Sequence, residues 1–175
     1  MCSRITIAET FFGQLIAKIW FLQWNHPNIR DRIPPPDKIY ILVGFYKNKK
    51  HLKWILKNSS YNVRREGRGK LAITDEVLQS RYLLLQTTGM LKTGFIFPKS
   101  PTQPDIKFKT DMITMRYPTP RHECYYLFNF EPKIDKSFKY AKWNISKLKN
   151  YKSGRQSPYP FTTTLTELMR VKLLV

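Results

Sequence analysis

Apolar positions recur along the chain at two periods, and the change from one to the other sets the expected order of elements. From Ile5 to Trp24, Phe11, Leu15, Ile16, Ile19 and Trp20 fall at spacings of three and four, with Phe12 and Leu22 widening the stripe. That spacing predicts a long N-terminal helix. It stops ahead of Asn25-His26-Pro27, and Arg32-Ile33-Pro34-Pro35-Pro36 makes a stiff connector, because proline fixes φ and has no N–H to donate. Residues 1–36 therefore read as a helical extension with a Pro-rich connector on a single domain covering 1–175. A helix this apolar has to pack, and the domain core is its expected partner.

Beyond the connector the period shortens. Lys38 to Phe45 is a compact apolar run rich in β-branched and aromatic residues, expected as a buried strand. Asn48 to Lys57 returns to helical spacing, with Leu52, Ile55 and Leu56 on one face, lysines mostly on the other, and Asn48 as N-cap. Tyr61 to Lys70, with four cations and two glycines, reads as a flexible basic loop, and Thr74-Asp75-Glu76 opens a helical turn. Arg81–Thr88 and Thr93–Phe97 flank Gly89–Lys92 as a hairpin. A strand is expected within Ile106–Arg116, a strongly apolar one at Glu123–Phe130, and a weaker one at Tyr140–Ile145. Thr164-Leu165-Thr166-Glu167 has the spacing of a capping box ahead of a final helix. Strands and helices do not alternate regularly, so the expected fold class is α+β, a small mixed β pseudo-barrel with a long N-terminal helix and shorter flanking helices.

Composition narrows the class. At 175 residues, 42% hydrophobic and 14% aromatic, the chain can bury one core. No apolar run is long enough to span a bilayer, and no signal peptide is recognisable, so no membrane partner is expected. With two scattered cysteines, Cys2 and Cys124, no disulfide framework is expected, and the location read from this is intracellular and cytoplasmic. The charge changes the picture most: 31 Lys and Arg stand against 12 Asp and Glu, a formal net charge of +19. Self-repulsion at that level works against a compact state, which points to a polyanionic partner, nucleic acid first.

The cations fall in two runs. Lys47, Lys49, Lys50, Lys53, Lys57, Arg64, Arg65, Arg68 and Lys70 are interrupted by one acid, Glu66. Lys133, Lys136, Lys139, Lys142, Lys147, Lys149, Lys152 and Arg155 are interrupted by Asp135. Aromatics lie among them: Tyr46, Trp54 and Tyr61 in the first run, Tyr140, Trp143 and Tyr151 in the second. Cations can track phosphates while an aromatic face stacks on an unpaired base. Lys49, Lys53, Arg64, Arg65, Arg68, Lys142, Lys147 and Arg155 are the candidate phosphate contacts, and Tyr46, Trp54, Tyr82 and Trp143 the candidate stacking residues. The plainer alternative places Trp54 and Trp143 in the core with lysines around them.

Catalytic signals are weaker. His26, His51 and His122 show no metal-ligand spacing, and His122-Glu123-Cys124 alternates faces on a strand. There is no P-loop and no Gly-rich dinucleotide loop. Asp105 upstream of Glu131-Pro132-Lys133 mimics the spacing of Mg²⁺-dependent PD-(D/E)xK nucleases, but Pro132 removes a backbone donor where the motif needs a continuing strand. No catalytic residue, metal or cofactor is expected. A protein-interaction scaffold is the remaining alternative.

In strand order the chain resembles the PUA-like superfamily in its EVE and ASCH branches. The residues carrying the resemblance are Ile39–Val43, the helix from Asn48 to Lys57, Tyr82–Gly89 leading into Gly94–Phe97, Tyr125–Phe128, and Thr164–Leu168. The resemblance implies a domain that binds RNA or reads modified DNA bases, holding a flipped base in an aromatic pocket. Phe45, Tyr46, Asn48, Trp54, Tyr82 and Thr88 would line that pocket. It also implies a DNA-targeting module of the kind found at the N-terminus of McrB-type restriction GTPases, with the GTPase motor and nuclease subunit outside this chain. The apolar C-terminal end is expected of a piece of a longer chain. DNA is favoured over RNA, and an RNA-binding accessory domain is the close alternative.

Overall fold

In the computed structural model, which describes residues 34–87, 91–131, 141–154 and 158–171, the apolar run after the prolines becomes a buried strand, β1 (Tyr40–Tyr46). The helix expected over 5–24 lies outside the described residues. α1 (Lys49–Asn58) follows, because Asn48 is extended and its side chain accepts the His51 N–H at 3.0 Å, while Ser59 closes the helix in the left-handed conformation. Next come β2 (Ser60–Arg64), α2 (Asp75–Gln79), β3 (Tyr82–Thr87), β4 (Leu91–Pro98), β5 (Asp105–Phe108), α3 (Lys109–Thr114), β6 (Cys124–Asn129), β7 (Ala141–Asn144), β8 (Phe161–Thr164) and α4 (Leu165–Arg170).

The fold is mixed α+β with two small sheets. Five strands run in the order β7-β4-β3-β1-β8 and three in the order β2-β6-β5. β1 is parallel to β3, with Val43 opposite Leu84, and antiparallel to β8, with Ile41 opposite Thr163. The parallel pair is possible because α1, β2 and α2 supply the long crossover that such a pair needs. Leu42, Leu83, Leu85 and Phe97 of the larger sheet share a core with Tyr61, Val63 and Phe128 of the smaller one and with Trp54 and Ile55 of α1. Ile41, Val43 and Leu84 are also buried, so β1 and β3 have no solvent face. The described strands form two sheets joined at one corner rather than a closed barrel. There, Lys99 bridges Phe130 and the Glu131 N–H donates to the Pro98 carbonyl at 2.9 Å.

Three elements differ from the sequence expectation. The segment expected as a flexible basic loop starts as β2, which pairs with β6. Its remainder is a fixed turn: Gly67 and Gly69 have φ of 84° and 76°, and the Lys70 N–H donates to the Gly67 carbonyl at 3.3 Å. The Tyr159 ring closes over it, occupying the space a Gly69 Cβ would need. The strand expected within 106–116 ends at Phe108, because Asp111 Oδ2 accepts the Phe108 N–H at 2.8 Å and starts α3. Finally, β8 has no counterpart in the sequence expectation. Its Thr162 and Thr163 are buried against β1, and Thr164 then caps α4 by accepting the Glu167 N–H at 3.3 Å.

Candidate nucleic-acid interface

The first basic run divides by helical geometry. On α1, His51, Trp54 and Ile55 are buried and Lys49, Lys50, Lys53 and Lys57 are exposed. Lys49, Lys53 and Lys57 succeed one another at four-residue intervals, a rise of about 6 Å each. The first turn of α1 carries no acidic residue, so the lysines at its N-terminal end add to the positive end of the helix dipole.

β2 runs back alongside α1, as the hydrogen bond from His51 Nε2 to Asn62 Oδ1 (2.9 Å) shows, and delivers Arg64 and Arg65 near the N-terminal end of the helix. His51 Nδ1 accepts the Lys47 N–H at 3.3 Å, so the proton sits on Nε2 and the ring is a satisfied core histidine. Burial holds its pKa below the usual imidazole value, with the Asn62 bond opposing and Lys47 reinforcing that shift. β6 pairs with β2, Arg64 standing opposite Tyr125, and Tyr125 Oη accepts the His122 N–H at 2.9 Å. Lys47, Arg64, Arg121 and His122 are thereby gathered from three separate segments. Burial, then Arg64, Lys47 and Arg121, hold the His122 pKa down, and Glu66 alone pulls it up. Positive charge prevails around the ring: Glu66 opposes it, and Glu123, the next residue in the chain, is paired with Lys109 at 3.1 Å.

The second run meets the first at Tyr159. Its N–H donates to the Lys152 carbonyl at 3.0 Å, its ring packs on Gly69 and Gly154, and the Arg64 guanidinium lies 5.8 Å from its centroid. Arg64 also donates to the Arg68 carbonyl, so the Arg64 guanidinium and the backbones of Arg68 and Lys152 meet at this ring. Lys147 is exposed after β7, on the opposite edge of the larger sheet, where its carbonyl accepts from Arg170.

The expected stacking residues fall elsewhere. Trp54 is 5% exposed, its indole N–H donates to the Met115 carbonyl at 2.8 Å, and Tyr117 packs edge-on at 4.9 Å. It is a core residue, not a stacking face. Tyr46 and Tyr82 are buried strand residues, and burial pushes the Tyr82 phenol up to about 12. Asn48 is committed to capping α1. These positions therefore do not form an open pocket. Trp143 and Lys142 are placed in β7 by their backbone; Thr88 and Arg155 lie outside the described residues. Sequence reasoning missed Arg121, His122, Tyr126 and Tyr159, which join the site only through β2–β6 pairing and the packing of Tyr159.

For the nuclease alternative, Asp105 Oδ2 accepts from Asn129 Nδ2 at 3.0 Å, and Lys133 lies outside the described residues. Among the described residues no three His, Cys, Asp or Glu side chains come together as a metal site, and no helix is long and apolar enough to cross a membrane. No family model, curated protein or solved structure matches the chain.

Proposed function

We propose that this chain is a non-catalytic nucleic-acid-binding domain whose phosphate-contacting surface is the N-terminal end and outer face of α1 together with Arg64, Arg65, Arg68, Arg121 and Lys152. The observation that carries the reading is the exposed lysine row of α1 beside the β2–β6 pair that carries Arg64, with Arg64, Lys47 and Arg121 all acting on His122 and Glu66 opposing them. Like charges packed together cost free energy, and a polyanion that lies across them recovers it. The proposal extends to a PUA-like DNA-targeting module of a McrB-type system. Support for that extension is the order of β1, α1, the β3–β4 pair, β6 and α4. An RNA-binding accessory role uses the same surface, and competition between RNA and DNA of equal length separates the two.

Replacing Arg64, Arg65 and Arg68 together by Glu is expected to weaken binding and to flatten the plot of log affinity against log salt. The expected change is about 2 to 3 in slope, near 0.9 for each duplex phosphate that the variant no longer neutralises. Anisotropy titrations across a salt series measure it, and an unchanged slope removes these arginines from the interface. Binding is also expected to tighten as pH falls below the ordinary imidazole range. A phosphate beside His122 favours the protonated ring that Arg64, Lys47 and Arg121 disfavour in the free protein. His122→Ala should remove that component of the pH dependence, and identical profiles for the two proteins would place the phosphates elsewhere.

A further inference from the structure

We infer that the outer end of the three-stranded sheet is a stacking platform for unpaired nucleotides, with Phe108 as its open ring and Arg65 as its cation. Among the described residues the large apolar side chains that stand exposed are Ile106 (47%), Phe108 (59%) and Ile113 (55%). Scattered singly they would mean little, but all three lie within one strand-helix unit, β5 and α3. Residues directly opposite one another in an antiparallel pair share a face. Phe108 is opposite Cys124 and Ile106 is opposite Tyr126, so Ile106, Phe108, Cys124 and Tyr126 line one face across two strands.

Arg65 lies over that same face. Its N–H donates to the Cys124 carbonyl at 3.1 Å, Nη1 lies 3.8 Å from Cys124 Sγ, and the guanidinium carbon is 5.7 Å from the centre of the Tyr126 ring. A planar cation on a half-buried ring, one strand away from an exposed ring, supplies both elements that single-strand binding needs: a flat apolar surface for bases and a charge for the phosphate between them. The platform is also rigid. The Phe108 N–H is held by Asp111, and the Lys109 N–H donates to the Glu123 carbonyl at 2.9 Å, so little ordering is required when a base arrives. Of the nearby acids, Glu123 is ion-paired with Lys109 at 3.1 Å, Asp105 accepts from Asn129 and Asp111 accepts the Phe108 N–H. An apolar protein partner would be expected to meet a patch depleted of charge at its centre. This patch carries the Arg65 guanidinium over its Tyr126 ring, on a chain of net charge +19, and the anionic partner fits better.

The inference rests on the nucleic-acid reading and adds strandedness to it. Phe108→Ala removes an exposed ring and should leave the thermal melt unchanged. Against a labelled oligothymidylate it is expected to weaken binding about 5- to 150-fold, the loss of one stacked base. Affinity for a labelled duplex should stay within about twofold of the parent, and Phe108→Trp should restore single-strand binding. Equal losses on both probes, or no loss on either, would overturn the platform while leaving the phosphate surface intact. A parent protein that binds neither probe would overturn both readings. Concentration-dependent self-association abolished by Phe108→Ala, with single-strand affinity unchanged, would make the patch a protein contact and overturn the inference.

Discussion

Gly44→Ala is expected to cost about 3 kcal/mol of folding stability, although it adds one methyl group to a strand. A Cβ at this position would lie 2.6 Å from Tyr61 Cζ and 2.7 Å from Cε1. Tyr61 cannot swing away, because its ring is buried between the two sheets and its hydroxyl accepts the Phe45 N–H at 3.0 Å. The β1–β8 register stops at Val43, so the tyrosine satisfies a backbone donor just past the end of that pairing. Displacing the ring therefore adds overpacking to an orphaned buried N–H, each worth about 1–3 kcal/mol. Tyr61→Phe keeps the ring and loses only the hydrogen bond, and should cost about 1–2 kcal/mol. Tyr61→Ala should cost about 3–5 kcal/mol alone. Combined with Gly44→Ala it should cost clearly less than the sum, because the methyl enters space the ring has vacated. Denaturant midpoints at constant slope measure all four variants. Additive costs would mean that Gly44 and Tyr61 do not constrain one another.

That coupling illustrates what could be read from the chain and what could not. β1, α1, the β3–β4 pair and β6 were legible because each is a dense apolar run or a clean helical stripe, and local pattern settled their type. β2 was hidden: only Tyr61 and Val63 mark its alternation, and arginines and glycines follow at once, so the segment reads as loop until β6 is beside it. β8 was hidden by three threonines, polar in a hydropathy count yet β-branched, of which Thr162 and Thr163 are buried against β1. The site followed the same division. The lysines of α1 were assigned by spacing alone. Trp54 among them had two readings, and only a carbonyl 61 residues away, that of Met115, decided for the core. Arg121 and His122 lie far from both charge runs and join them through strand pairing, which one sequence does not display. Phe108 looked like an ordinary strand residue, and its exposure follows from β5 being the outermost strand of a small sheet.

The same corner that joins the two sheets carries a buried charge, and from it the stability of the protein is expected to rise with pH between about 8 and 10.5. Lys99 is 5% exposed; its ammonium donates to the carbonyls of Ser80 at 3.1 Å and Ser100 at 3.0 Å and lies 5.5 Å from the Phe128 ring centre. No carboxylate pairs with it among the described residues. Burial lowers its pKa from 10.5 to about 8. Below about 8 the amine is protonated in both folded and unfolded chains, and the fold bears the full cost of an unpaired buried cation. Between about 8 and 10.5 the folded chain has released the proton while the unfolded chain still holds it, so stability increases with pH across that window. The gain should be on the order of 2 kcal/mol, less than the full shift implies because the two carbonyls retain part of the interaction. Surface lysines also lose charge at high pH and relieve repulsion, so the test is a difference. Lys99→Met keeps the volume and removes the titrating group. Subtracting its unfolding free energy from that of the parent at pH 7, 8, 9 and 10 should give a value that climbs by about 2 kcal/mol in the parent's favour. Parallel curves would mean that the Lys99 ammonium is solvated in the folded protein. A climbing difference would show that the seam between the sheets is closed by a lysine the fold holds at its own expense at neutral pH.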